Sequence, residues 1–187
     1  MIEKSLESKV LYKGRFLDFV EDQVEIENSG GIIAPRQYFT HPGGVCVVPV
    51  LDDDYIVLIR QFRTPVGEII YEFPAGKKDA GEEPLDTAVR ELKEETGFSA
   101  ETWIDKGFIY PSPGYCTEQL HLFIARDLAC GEDNPDEGEI LETSIIKIQE
   151  AMDMVNNGQI RDAKTICGLF YLFSKLLNDS HKNLSKK

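Results

Sequence analysis

Between Gly76 and Phe98 the chain reads GKKDAGEEPLDTAVRELKEETGF, and no other stretch restricts its folding as tightly. Leu85, Ala88, Val89 and Leu92 recur at the spacing of one helical face, which predicts an amphipathic helix with these side chains as its buried stripe. Pro84 stands where a first helical turn tolerates proline, and Gly97 where a helix stops. Into this helix and its approach the sequence crowds Glu82, Glu83, Asp86, Glu91, Glu94 and Glu95, with Arg90 among them. At about 100° per residue, Glu91 and Glu95 fall together on one flank of the stripe, and Glu94 on the solvent side within reach of Arg90. Carboxylates one turn apart repel each other unless something positive lies between them. Oxygen-only ligands at this density favour a hard cation such as Mg²⁺ or Mn²⁺. Charge alone would favour the plainer reading, a solvated acidic helix face.

Spacing decides between these readings. From Gly76 the chain runs five residues to Glu82 and seven more to Arg90-Glu91, then Leu92, Lys93, Glu94-Glu95, Thr96, Gly97 and Phe98. This resembles the Nudix box, G-x5-E-x7-R-E-U-x-E-E-x-G-U with U apolar, and every fixed position matches. The resemblance implies a metal-dependent hydrolase of nucleoside diphosphates linked to another moiety. It also implies the fold, an α/β/α sandwich, and covers about 42 to 178 well and the N-terminal stretch more loosely.

The 187 residues, 42% of them hydrophobic, suit one compact catalytic domain with a modest extension and no membrane span. A secretory leader is not expected from MIEKSLESKV. The net charge of −13 argues against nucleic-acid binding, which needs a basic surface, so a polyanionic substrate must be met by local arginines and by metal. Cys46, Cys116, Cys130 and Cys167 form no C-x-x-C pair, which points to neither zinc nor a disulfide framework and suits a reducing cytoplasm.

Along the chain, residues 1–41 form a candidate N-terminal β element and 42–187 the catalytic domain. Val20, Asp22, Val24 and Ile26 alternate with Glu21, Gln23, Glu25 and Glu27 as a half-buried strand, Asn28 to Gly31 signals a turn, and Pro35 to Thr40 returns as the hairpin partner. A hairpin carrying Phe16, Phe19, Val20, Val24 and Ile26 has more apolar surface than it can hide alone, so a homodimer is expected. Further strands are expected over Val45–Val50, Tyr55–Phe62, Ile69–Phe73, Trp103–Tyr110, Gln119–Ala125 and Ile140–Ile148, with a helix near Ile148–Asn156. A last helix begins after Asp162 as N-cap, with Ile166, Leu169, Phe170, Phe173, Leu176 and Leu177 on its buried face. Strands flanked by helices without regular alternation read as α+β with a mixed sheet between helical layers.

Outside the box, residues 111–118 read PSPGYCTE, and Pro113 lies 16 residues beyond Gly97. This is similar to the downstream proline of the ADP-ribose pyrophosphatase branch, although a Pro-Gly turn is also ordinary strand punctuation. VLIRQFR at 57–63 and YEFPAG at 71–76 are similar to the strand pair before the box in that branch. The resemblance implies Arg63 on the substrate diphosphate, where a planar guanidinium grips phosphate oxygens. It implies substrate contacts from Arg36, Glu72, Pro113, Gly114 and Glu118 as well. Metal would be held by the Ala75 carbonyl, Glu91, Glu95 and Glu139, with Glu137 as base and Arg90 and Glu94 as further catalytic-site residues. Glu137 and Glu139 come from the loop NPDEGEI, where Gly138 between the acids departs from commoner forms and leaves the register open by one residue.

The implied reaction is hydrolysis of ADP-ribose to AMP and ribose 5-phosphate. A nucleotide sugar such as GDP-mannose is the competing substrate, since nothing in the sequence reads base or sugar. A non-hydrolysing sensor is disfavoured by the intact Glu91/Glu95 pair, and a capped-RNA hydrolase by the acidic charge.

Overall fold

The structure, a computed structural model, describes residues 2–131 and 141–184, with side chains to 173. The chain divides into two compact units, Met1–Gly43 with Ile109–Leu120, and Gly44–Phe108 with His121–Lys187. The first is thus larger than the 1–41 element expected from sequence, because a segment from the middle of the chain joins it.

The first unit holds β1 (Glu3–Lys13), β2 (Asp18–Ile26) and β3 (Ile33–Thr40) in an antiparallel sheet of that order. The expected hairpin is β2–β3, turning through Asn28, Gly30 and Gly31 with positive φ; Val20 and Val24 are its buried positions. The additional strand, β1, is exposed along its whole length. Its register shifts between Ser5 and Glu7 and between Val10 and Tyr12, so bulges at Leu6 and Leu11 break the period-two alternation by which a strand is recognised. On the other side of the sheet, Phe39 donates its N–H to Tyr115 O at 2.8 Å and accepts from Thr117 N at 2.9 Å, which makes a parallel bridge to Cys116.

The second unit contains β4 (Gly44–Pro49), β5 (Tyr55–Arg63), β6 (Glu68–Glu72), β7 (Ala75–Lys77), α1 (Pro84–Thr96), β8 (Phe98–Ile109), β9 (Leu120–Cys130), β10 (Leu141–Lys147), α2 (Ile148–Asn156) and α3 (Ala163–Leu184). Its strands form the sheets β10-β5-β6 and β7-β4-β9-β8. The class is α+β, and the non-sequential strand order comes from crossovers. Every residue of β4 is buried, and its alternate positions face different helices. Val45 and Val47 cluster with Ala88 and Leu92 of α1, while Val48 meets Gly168 of α3. β4 is therefore the middle layer of a helix–sheet–helix sandwich.

α1 keeps its expected ends: Pro84 opens it, and Gly97 closes it at φ 73° with its N–H on Lys93 O at 2.9 Å. Its buried stripe differs from expectation. Leu85 and Val89 are 41% and 46% exposed, whereas Thr87, Ala88, Leu92, Glu95 and Thr96 are buried. The inward face is rotated toward the glutamates, because hydrogen bonds inside the protein offset the cost of burying them. α3 is also turned from expectation: Thr165, Leu169 and Leu172 face inward, and Ile166, Phe170 and Phe173 are exposed. Small residues at 165 and 168 let the helix approach the sheet closely. Leu176 and Leu177 lie beyond the described side chains. Among the described residues no helix is long and apolar enough to cross a membrane.

Candidate active site

The segment from β7 into α1 encloses a cleft of about 260 Å³ lined by Ala75, Gly76, Lys77, Asp79, Arg90, Glu91, Glu94 and Glu95. The Glu91 carboxylate lies against the Cα of Gly76 so closely that a Cβ there would sit 1.9 Å from Oε1. Only glycine fits. Glu95, 4% exposed, accepts the Ala75 N–H on Oε2 at 2.9 Å. The short strand β7 is thereby fixed against both glutamates.

Arg90 balances the acids around it. Its Nε and Nη2 donate to Glu82 at 3.2 Å each, its Nη1 to Glu91 at 2.8 Å and to Glu94 at 2.9 Å, and Nη2 also reaches Lys77 O at 3.3 Å. Through these bonds Arg90 pushes the Glu82 carboxyl down from 4.5 to about 2. The same bonds, that to Glu82 foremost, hold the guanidinium above its ordinary range. Glu94, expected on the solvent side, lines the cleft under the pull of Arg90.

The oxygen donors fit a hard cation. Glu91 in the cradle left by Gly76, the buried Glu95, and the backbone of Ala75 supply only oxygen at one edge of the cleft. Among the described residues no three Asp, Glu, His or Cys side chains converge to hold a cation unaided. The expected further carboxylates, Glu137 and Glu139, lie outside the described residues.

A second cluster sits where β6 ends. Glu72, 1% exposed, is gripped by Arg63, with Nε on Oε1 at 2.6 Å and Nη2 on Oε2 at 2.9 Å, and Lys164 also donates to Oε2. Burial would raise the Glu72 carboxyl, but Arg63 and Lys164 outweigh it and hold the group below its usual range. Asp162 caps α3 by accepting Thr165 N at 3.0 Å and Thr165 Oγ1 at 2.7 Å, and meets Lys164 Nζ at 3.2 Å. Thr165 Oγ1 accepts the Phe73 N–H at 2.8 Å, and Pro74 O accepts Val47 N at 2.8 Å. Residues 72–75, which lead into the cleft, are thus held one after another by different elements. Lys164 and Thr165 were missed from sequence. The available signal was a lysine in the first turn of a helix, where the helix dipole disfavours cations.

In the first unit, Arg36 pairs with Glu3 and extends from β3. Pro113 and Gly114 occupy a turn closed by Ser112 O, which accepts Tyr115 N at 3.1 Å and Cys116 N at 3.0 Å. Glu118 Oε1 lies 4.0 Å from His41 Nε2.

Comparison with known proteins agrees with this arrangement. The NUDIX domain model matches residues 40–169. An ADP-ribose pyrophosphatase of Bacillus subtilis (strain 168) is 37% identical over 172 residues, covering 91% of this chain and 92% of that protein. A methanol dehydrogenase activator of Bacillus methanolicus is 34% identical over 174 residues, covering 91% and 92%. A crystal structure of an ADP compounds hydrolase superposes with a TM-score of 0.81 at 24% identity, covering 96% of each chain, and shares the fold. With its complete box, its cleft of oxygen donors and these relatives along nearly its whole length, the chain belongs to the NUDIX domain family and is a Nudix hydrolase.

Proposed function

We propose that this Nudix hydrolase cleaves the pyrophosphate bond of ADP-ribose, with Mg²⁺ or Mn²⁺, to give AMP and ribose 5-phosphate. The carrying observation is the Glu91 carboxylate seated against Gly76 beside the buried Glu95. The similarity to an ADP-ribose pyrophosphatase supports the choice of substrate. Glu91, Glu95, the Ala75 carbonyl and Glu139 would hold the metal. A divalent cation at such a site neutralises diphosphate charge and makes water a better nucleophile.

The chain's own residues do the rest. Water adds to one phosphorus and the bridging P–O bond breaks, so no protein nucleophile is required. Glu137 takes the proton from that water. Arg90 orients the box carboxylates, Glu91 and Glu94 by direct pairing. Arg63 binds the diphosphate, and Glu72 contributes by holding Arg63. Arg36, Pro113, Gly114 and Glu118 contact the remainder of the substrate. The enzyme works as a homodimer in a reducing cytoplasm, without nucleic acid. The exposed β1 is consistent with the dimer, and four free cysteines with the compartment.

Nucleotide sugars such as GDP-mannose are the second reading, because nothing in the sequence reads the base or the sugar. The test is turnover of a panel of nucleoside diphosphate compounds, in Mg²⁺ and in Mn²⁺, with products identified chromatographically. ADP-ribose should give the highest kcat/KM, and a higher value for GDP-mannose would reverse the assignment.

A further inference from the structure

Lys164 stands where both its charge and its burial are unfavourable. It is the second residue of α3, at the helix end that repels cations, and its side chain is only 14% exposed. Its partners there are two acids, Glu72 and Asp162. Desolvation would lower its pKa, but Asp162 and Glu72 hold it above the ordinary lysine value, so the group is a fixed charge.

The lysine and Arg63 share one oxygen. Glu72 Oε1 belongs to Arg63 Nε, while Oε2 takes both Arg63 Nη2 and Lys164 Nζ. How far the guanidinium leans on Glu72 therefore depends on how much of Oε2 the lysine occupies. Asp162 stops the ammonium from drifting, since its own carboxylate is tied to Thr165 at the start of α3. Arg63 remains 36% exposed at the outer end of this chain, and among the described residues its Nη1 bonds to none. A buried carboxylate left with Arg63 alone would draw all its compensation from the guanidinium and turn it inward.

We infer that Lys164 is a positioning residue for substrate binding: by sharing Glu72 Oε2 it sets the plane of the Arg63 guanidinium and keeps its outer edge presented to a diphosphate. This deepens the reading of Arg63 as the diphosphate contact and rests on it.

A double-mutant cycle tests the coupling. Lys164→Gln, Arg63→Gln and the double variant are titrated calorimetrically with α,β-methylene ADP-ribose, which cannot be hydrolysed at the bridge. Kinetics, melting temperature and Mn²⁺ binding by electron paramagnetic resonance are measured alongside. Lys164→Gln should weaken analogue affinity about ten-fold, with kcat and Mn²⁺ affinity within about two-fold, and should add less than about two-fold in the Arg63→Gln background. Lys164→Arg should recover affinity to within about three-fold of the parent. If Lys164→Gln does not fold, Asp162→Asn keeps the helix cap while releasing the ammonium on one side. It should then show a loss of about three-fold that vanishes without Arg63. Unchanged analogue affinity, or the same loss with and without Arg63, overturns the inference while leaving Arg63 in place. Unchanged affinity in Arg63→Gln alone overturns the underlying reading and the inference with it.

Discussion

The carboxylate of Glu91 occupies the space that a side chain at position 76 would need. A Cβ on Gly76 would lie 1.9 Å from Oε1 and 2.0 Å from Cδ of Glu91. Gly76→Ala should therefore displace the carboxylate with little effect on the core. A misplacement of about an ångström at a reacting site is worth on the order of 100-fold in rate. The expected outcome is a drop of that size in kcat/KM, with a melting temperature near that of the parent.

Glu91→Gln and Glu95→Gln should each lower turnover by orders of magnitude, and a chelator should silence the parent enzyme reversibly. Their stabilities should differ. Glu95 is buried and accepts the Ala75 N–H, so its substitution disturbs β7 as well as the metal site. Glu91→Gln should melt close to the parent and Glu95→Gln measurably away from it. Full activity in excess chelator would remove the metal from the mechanism.

Glu82 gives the site a signature in acid. Its carboxyl is depressed from 4.5 to about 2, chiefly by Arg90. The resulting stabilisation is fully present above pH 4.5 and is lost as pH falls toward 2. Arg90→Gln removes the cause. The melting-temperature gap between parent and Arg90→Gln should be largest at neutral pH and close between pH 4.5 and about 2. A gap constant across that window would contradict the assignment.

How much of this was legible varied with how local the signal was. The ends of α1 and the cap of α3 were readable because Pro84, Gly97 and Asp162 act within one turn. The orientation of α1 was not, because apolar periodicity assumes that acids face water. The Ala75 N–H makes it possible for Glu95 to do otherwise. β1 was hidden by its bulges at Leu6 and Leu11. The Arg63–Glu72–Lys164–Asp162 cluster joins three separate elements and has no motif to announce it.

The acidic stretch that holds Glu137 and Glu139 carries a kinetic prediction. Glu137→Gln should cost more in kcat than in KM, as expected for a base. Glu139→Gln should recover in part when metal concentration is raised. Near-neutral behaviour of both would move the base elsewhere, with Glu118, 4.0 Å from His41, the next residue to substitute.

The proposed dimer can be tested on β1 without disturbing the chain's interior. Val10 and Tyr12 are exposed in the single chain, so Val10→Lys with Tyr12→Lys should change its intrinsic stability by no more than about 0.5 kcal/mol per site. Light scattering should report a dimer for the parent and a monomer for the double variant, with weaker ADP-ribose affinity. A parent monomer of normal affinity would overturn the proposal.

At Gly168 the outer helix rests directly on the sheet. A methyl group there would meet Val48 Cγ2 at 2.7 Å and the Phe73 ring at 2.8 Å. The position behaves as a spacer of zero thickness, and the gap it sets is transmitted through Thr165 to the Phe73 amide. Bulk added at Gly168 would act as a shim, pressing on Phe73 and so on the 72–75 segment that leads into the cleft. The placement of residues 72–75 is thus set in part from the helical layer behind them.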